Sequence, residues 1–187
     1  MFSAPEKNIA QLELPDNSIV ADFGAGTGAY TIAAAKAMHS TGKVYAIEVQ
    51  KNLLTSLENS CKSEHLGNVS YIWGNCELPN GVKLSDATAD FVIVSNILFQ
   101  AEDKKGVISE ARRVLKPGGR LLVIDWTASF NGMGPEPKQI FPEMEAKKMI
   151  TEMVFSFDRN INAGNFHYGL IFRKGLYHVE KNNTSLK

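Results

Sequence analysis

A short apolar run that breaks into three closely spaced glycines and then into a helical pattern leaves a chain few folds to choose from. Here the run is Ile19-Val20-Ala21-Asp22-Phe23, and the break is Gly24-Ala25-Gly26-Thr27-Gly28. Glycine is needed at such a turn because its missing side chain permits positive φ and lets a ligand lie against the main chain. The run is entered from a Pro15-Asp16-Asn17 turn and reads as a strand. The segment from Thr27 to Met38 follows as a helix whose small alanines suit close packing on a sheet, and Ser40-Thr41-Gly42 closes it. A strand, a glycine loop and a helix in that order form the first half of a parallel crossover, so the chain is of the α/β class.

The same alternation continues. Strands are expected at 43–47, 69–73, 89–95, 120–125, 154–159 and 167–173, making seven with the first, and further helices at 50–62, 102–115 and 143–152. Ala89 to Ser95 is apolar on both faces, as a central parallel strand must be. The helix over 102–115 is expected to stop at Lys116-Pro117-Gly118-Gly119, because proline lacks the amide donor and glycine permits a left-handed exit. The stretch 127–142 contains Gly132, Gly134, Pro135 and Pro137 and reads as a long, substrate-facing connection. The last two strands are spaced to pair as a hairpin across Asn160 to Asn165, and Lys181 to Lys187 reads as a frayed polar end. The expected organisation is one domain over 1–187: core motifs at 19–126, a variable loop at 127–142, and a C-terminal helix and β-hairpin at 143–175.

Composition narrows the partners. Twenty basic residues balance twenty acidic ones over 187 residues, so no global field would hold the protein on nucleic acid or an anionic membrane. Lys104, Lys105, Arg112, Arg113 and Lys116 fall among Glu102, Asp103 and Glu110 and read as a solvated helix face. Cys61 and Cys76 match neither a zinc site nor a CxxC redox pair, so free thiols and no metal are expected. No secretory signal is evident at the N-terminus, and no apolar run approaches the roughly 20 residues that would span a bilayer. The reading is a soluble, cytoplasmic protein.

The glycine loop by itself serves two ligands. Read as GxGxG it suits an adenosylmethionine site, and read as Gly24-x-Gly26-x-x-Ala29 it satisfies a dinucleotide fingerprint. Glu48 ends the second strand twenty residues beyond Gly28, where a carboxylate can accept hydrogen bonds from both hydroxyls of a ribose. A lone Glu at a strand end is ordinarily a solvated charge; the glycine loop upstream is what gives this one a function. Asn75, Cys76 and Glu77 follow the third strand, where an adenine would lie on the carboxyl edge of the sheet. Cys76 reads equally as an adenine contact and as a small half-buried hydrophobe. Asn96 ends the central strand at the mouth of the site, facing either a ligand or a turn. Ala25, Gly28, Tyr30 and Val49 complete the expected contact set with Asp22, Gly24 and Gly26.

The ordered motifs Asp22-x-Gly24-x-Gly26-x-Gly28, Glu48, Gly74-Asn75-Cys76-Glu77-Leu78-Pro79, Ala89-Asp90-Phe91-Val92 and Glu110-Ala111-Arg112-Arg113-Val114-Leu115-Lys116-Pro117-Gly118-Gly119-Arg120-Leu121 resemble those of class I S-adenosylmethionine-dependent methyltransferases. The resemblance covers about Ile19 to Trp126 and is strongest to the group that includes the ubiquinone and menaquinone biosynthesis enzymes. It implies a Rossmann-like, seven-stranded, mostly parallel sheet of order 3-2-1-4-5-7-6 with strand 7 antiparallel and helices on both faces. It implies S-adenosyl-L-methionine as methyl donor, S-adenosyl-L-homocysteine as product, and in-line transfer to an acceptor that the motifs do not identify, a small molecule being favoured. Asp22, Gly24 and Gly26 would frame the methionine part, Glu48 hold the ribose, Asn75 and Cys76 approach the adenine, and Asn96 border the methyl group.

Two departures stand out: Asn75 replaces the usual acidic residue, and Glu152-Met153-Val154-Phe155 lacks a glycine often found before the sixth strand. NAD-binding domains do not share the Leu-Lys-Pro-Gly-Gly string, and no Tyr-x-x-x-Lys is present. A nicotinamide-dependent oxidoreductase and a non-catalytic adenosylmethionine-binding subunit are the runner-up readings. No catalytic residue is assigned. Asp125, His167 and Glu77 are candidates should the acceptor need a base, although a lone acid or histidine in such a fold more often serves packing. About 18 residues precede the first strand, so the 127–142 loop and the N-terminal segment are left to shape the pocket. The expected state is a monomer or homodimer, or a chain whose pocket a partner subunit completes.

Overall fold

The computed structural model describes residues 4–39, 41–130, 132 and 134–176. The expected frayed end at 181–187 lies outside the described residues. In chain order the elements are α1 (Pro5–Ala10), β1 (Ile19–Phe23), α2 (Ala29–Ala37), β2 (Lys43–Glu48), α3 (Lys51–Ser63), β3 (Val69–Trp73), β4 (Ala89–Ser95), α4 (Lys104–Val114), β5 (Leu115–Trp126), α5 (Glu143–Glu152), β6 (Phe155–Asn160) and β7 (His167–Lys174). A single 3-10 turn, Pro137–Gln139, interrupts the connection before α5.

The seven strands form one sheet of order β3-β2-β1-β4-β5-β7-β6. β1 to β5 run parallel, and β7 is antiparallel to both β5 and β6. This is the expected Rossmann-like topology. Each face buries its own core. Ala21, Phe23, Val92, Val94, Leu121 and Val123 pack beneath α4 and α5. On the opposite face Val20, Val44, Ile93, Leu122 and Ile124 pack beneath α1, α2 and α3. The alanines of α2 let it lie close to the sheet: Ala33, Ala34 and Ala35 are all buried.

Three features differ from the sequence reading. The first is α1, six residues long and too short to show a helical period. Tertiary contacts hold it instead. Gln11 exchanges two hydrogen bonds with the main chain of Asn162, and Arg159 and Arg120 donate to the carbonyls of Gln11 and Leu12.

The second is the Leu-Lys-Pro-Gly-Gly string. The helix ends one residue early, at Val114, and Leu115 is already extended at ψ 137°. β5 then starts at Leu115 and runs through Pro117 and the glycines. Proline disfavours the helical region for the residue before it, which pulls Lys116 into the strand. Gly118 at φ +76° takes up the register irregularity between Ala89–Leu115 and Phe91–Arg120. Lys174 Nζ donates 2.6 Å to the Leu115 carbonyl, which has left the helix.

The third is the charged face of α4, which is not uniformly solvated. Glu110 is 3% exposed. It accepts from the amides of Asn80 and Val82 and from Arg113 Nε and Nη2. Arg113 in turn donates 2.7 Å to the Leu84 carbonyl. The pair therefore anchors the 80–84 stretch to α4. At the end of α5, Val154 adopts φ +67°, a conformation suited to the glycine missing at this point, and β6 starts one residue later than expected. Among the described residues no helix is long and apolar enough to cross a membrane.

Candidate cofactor site

Strand order reverses between β1 and β4, where the crossovers leave the sheet in opposite directions and open a crevice at the carboxyl ends. A cavity of about 460 Å³ occupies this position. That volume suits a nucleoside-sized ligand.

The glycine loop forms its floor. Gly24, Gly26 and Gly28 have φ of +63°, +55° and +87°. A side chain on Gly26 would find nothing nearer than the Gly24 carbonyl at 3.8 Å, so its bare main chain faces open space. Gly28 has another task. It caps α2 in a left-handed conformation and packs against Leu57, where a Cβ would come within 2.0 Å of Leu57 Cδ1. It does not line the cavity, whereas Ala25 and the buried Tyr30 do.

Two carboxylates hold this floor in place. Glu48 Oε2 accepts 3.0 Å from the Gly26 amide, and Oε1 accepts 2.9 Å from the amides of both Val49 and Gln50. The end of β2 is thereby tied to the loop after β1, with the carboxylate on the cavity wall. Asp22 is buried beneath the loop and accepts 2.6 Å from Thr31 Oγ1. Burial pushes its pKa up to about 7, with the Thr31 bonds opposing and the charge of Glu48 adding to the rise.

At the β3 end, Asn75 Oδ1 accepts 2.9 Å from the Glu77 amide, closing a turn. The carbonyl expected to meet an adenine amino group thus already has one partner, and its second lone pair is what such a group would use. Gly74 is required at this position because a Cβ would lie 2.4 Å from the Gly81 carbonyl. Cys76 is buried, and its thiol pKa is pushed up to about 12 by burial, aided by the charge of Glu77. It is no nucleophile. Glu77 Oε2 accepts 2.7 Å from the Asp103 amide at the start of α4. Val49 is half exposed at the rim.

At the β4 end, Asn96 adopts φ +57°. Its Oδ1 and the Oγ of Ser95 are buried without a hydrogen-bond partner among the described residues. Buried polar atoms are almost always paired, so these two are candidates to meet a ligand. Ser95, Gln50, Ile97 and Gln100 also line the cavity and were not anticipated. Position alone could have suggested Ser95, since it shares the strand end with Asn96. The cavity wall carries Asp22, Glu48 and Glu77 and no lysine or arginine.

The other base candidates stand apart from the cavity. Asp125, fully buried, accepts from the amides of Trp126 at 2.8 Å and Phe99 at 3.1 Å. Burial raises its pKa to about 6 against those bonds. His167 pairs in register with Trp126 and lies tilted against its ring, centroids 4.1 Å apart. Burial lowers its pKa. Among the described residues no cluster of three His, Cys, Asp or Glu side chains is placed to hold a metal ion.

Comparison with known proteins agrees with this geometry. A family described as a methyltransferase domain matches residues 14–173. Demethylmenaquinone methyltransferase of Geobacillus sp. (strain WCH70) is 31% identical over 120 residues, covering 64% of this chain and 50% of that protein. The ubiquinone/menaquinone biosynthesis C-methyltransferase UbiE of Hydrogenovibrio crunogenus is 32% identical over 111 residues, 59% of this chain and 42% of that one. The chain spans about half the length of the curated relatives it matches. Among solved structures, a SAM-dependent methyltransferase from Aquifex aeolicus superposes with a TM-score of 0.82 at 26% identity, covering 92% of this chain and 90% of that one.

Proposed function

The chain belongs to the methyltransferase-domain family, and on that premise we propose that it transfers a methyl group from S-adenosylmethionine to a small-molecule acceptor, leaving S-adenosylhomocysteine. The observation that carries this reading is the charge of the cleft. Three carboxylates line it, no basic side chain does, and the Gly26 amide is already bound to Glu48. A dinucleotide pyrophosphate would need free loop amides or a cation at this point. A cationic sulfonium with an ammonium group finds the opposite field, which argues against a nicotinamide oxidoreductase.

The methyl group arrives already activated on sulfur, so the protein's work is chiefly positioning. Asp22 and the unpaired oxygens of Ser95 and Asn96 are placed to take the amino acid end. Glu48 retains acceptor capacity for ribose hydroxyls beyond its three amide bonds, since a carboxylate offers about four lone-pair positions. Asn75 and Cys76 flank the space for the base. Ala25, Tyr30, Val49 and Glu77 complete the wall, while Gly28 acts through the start of α2.

Residues 19–126 carry the donor side in this reading, and the 127–142 connection with the 143–175 helix and hairpin shapes the acceptor side of a single functional unit. The hydroquinone form of demethylmenaquinone, the quinone named in the relatives, is the first acceptor to test. The two buried, free cysteines fit a reducing, cytoplasmic setting.

Calorimetry with adenosylhomocysteine and with NAD tests the donor site, and labelled-methyl transfer to hydroquinones, phenols and other small metabolites tests the activity. Binding of adenosylhomocysteine in preference to NAD is expected. Binding of NAD alone would overturn the reading.

A further inference from the structure

Seven buried side-chain nitrogen and oxygen atoms lack a hydrogen-bond partner among the described residues, and five of them belong to residues at one end of the sheet. They are Ser95 Oγ and Asn96 Oδ1 at the carboxyl end of β4, and both ring nitrogens of His167 and the hydroxyl of Tyr168 at the start of β7. Because β7 is antiparallel, its first residues lie at the same sheet edge as the last residues of β4 and β5. Such a concentration of unpaired atoms is the signature of a site, since orphaned buried groups are otherwise rare and costly.

Register decides which of them face the methyl donor. Ser95 pairs with Ile124 and Ile124 with Gly169; one step outward on the same face, Trp126 pairs with His167. Asp22 pairs with Ile93, two residues before Ser95, so it too projects to that face. His167 therefore looks out on the side of Asp22 and Ser95, two strands from Ser95, which is roughly 10 Å across the sheet at the usual strand spacing. Tyr168 points to the opposite face with Asp125.

The rival bases are already engaged by the main chain. Both oxygens of Asp125 accept main-chain hydrogen bonds beneath the sheet, and Glu77 is held by the Asp103 amide at the far end of the cavity. His167 has no such engagement. Its ring rests on Trp126, and the Trp126 ring lies beneath Gly134, where a Cβ would come within 2.9 Å. Phe130 stacks on Phe166 beside it at 4.8 Å. Burial lowers the pKa of the imidazole, which favours its neutral form.

Resting on the methyl-transfer reading above, we propose that His167 is the general base of the reaction and that the acceptor is a protic nucleophile seated between Ser95 and Trp126. A lone pair on the acceptor oxygen or nitrogen forms the bond to the methyl carbon. The carbon–sulfur bond breaks with its pair remaining on sulfur. The acceptor proton passes to the free imidazole nitrogen and from the imidazolium to water. Entry of the acceptor requires Gly134 and Trp126 to part over the imidazole.

Two measurements test this on the full chain. The first treats the adenosylmethionine-loaded protein with diethyl pyrocarbonate, a reagent for neutral imidazole, and reads each histidine by peptide mass spectrometry. His167 should be modified within about tenfold of the rate of the exposed His39 and His65, and resistance in the folded protein overturns the proposal. The second compares His167→Gln with wild type. Adenosylhomocysteine affinity should stay within about twofold, whereas kcat on hydroquinone, catechol or phenol acceptors should fall by about 10²- to 10⁴-fold. The rise of kcat with pH expected of wild type should vanish with it. Full turnover with an unchanged pH profile in His167→Gln sinks the assignment, and His167→Asn repeats the test if the glutamine variant folds poorly. Failure of adenosylhomocysteine to bind the wild type would instead strike at the methyltransferase reading itself.

Discussion

Glu48 Oε2 accepts a 3.0 Å hydrogen bond from the Gly26 amide, so the acidic end of β2 and the glycine loop after β1 are one structural unit. The same carboxylate thus does two things: it holds the loop's bare main chain toward the cavity, and it sets the sign of the charge there. One contact thus shapes the loop and sets a carboxylate on the cavity wall.

Removing that carboxylate should weaken the donor site without unfolding the protein. Glu48→Ala is expected to lower adenosylhomocysteine affinity by about 1.5 to 3 kcal/mol, the range for a hydrogen bond to a charged group. Glu48→Gln should recover only part of it, since an amide oxygen accepts more weakly. Isothermal calorimetry measures both, and wild-type affinity in Glu48→Ala would contradict the assignment.

Asp22 makes stability and binding pH-dependent. Its folded pKa of about 7 lies above the unfolded value near 4. Between those values the folded state binds the extra proton, so its stabilising contribution is full below about pH 4 and is lost as pH rises through about 7. Asp22→Asn should remove a change on the order of 2 to 3 kcal/mol between pH 5 and 8, so the variant's melting temperature should fall less than the wild type's over that range. A cationic donor beside Asp22 favours its ionised form, so binding near pH 6 should release a proton that Asp22→Asn does not. Calorimetry in buffers of different ionisation enthalpy detects it; equal release by the two proteins would refute the contact.

The three glycines should respond differently to alanine. At Gly26 the added methyl meets open space, so the stability cost should be only the left-handed strain of about 1 to 2 kcal/mol, while ligand binding suffers most. At Gly28 the methyl meets the buried Leu57 side chain at 2.0 Å, so stability should fall further. Urea unfolding and calorimetry on the two variants separate these outcomes. A larger stability loss in Gly26→Ala than in Gly28→Ala would reverse the two roles.

Glu110 should prove a structural keystone away from the chemistry. Glu110→Ala leaves the amides of Asn80 and Val82 without an acceptor, while Arg113 keeps Asp86 and the Leu84 carbonyl. The expected cost is about 1 to 3 kcal/mol in urea unfolding, as for leaving buried hydrogen-bonding groups unsatisfied. The 80–84 stretch also holds Gly81, whose carbonyl accepts from the Asn75 amide, so ligand affinity should drop as well. A near-neutral Glu110→Ala would show that the pair is solvated after all.

How much of this could be read before the fold was known depended on range. The strand, glycine loop and helix at 19–38 and the alternation after them are local signals, in which main-chain freedom and hydrophobic period act within a few residues. They specified the sheet, and the resemblance of ordered motifs supplied its order. Eleven of the twelve expected contact residues line one cavity. Gly28 does not, because its position after two other glycines could not reveal that Leu57 of α3 presses on it. Position likewise hid α1, whose six residues show no period and are held by Asn162, Arg159 and Arg120 from remote parts of the chain.

Charge shows the division most sharply. The sequence by itself determined that an acidic residue ends β2 and that acids and bases alternate along α4. Only the tertiary structure decided that Glu48 lines the cavity, that Glu110 is buried on Arg113, and that His167 lies at the same sheet edge as Ser95. The reason is physical: a side chain's solvation and partners depend on which distant strands and helices the crossovers bring beside it, and no local pattern encodes that proximity.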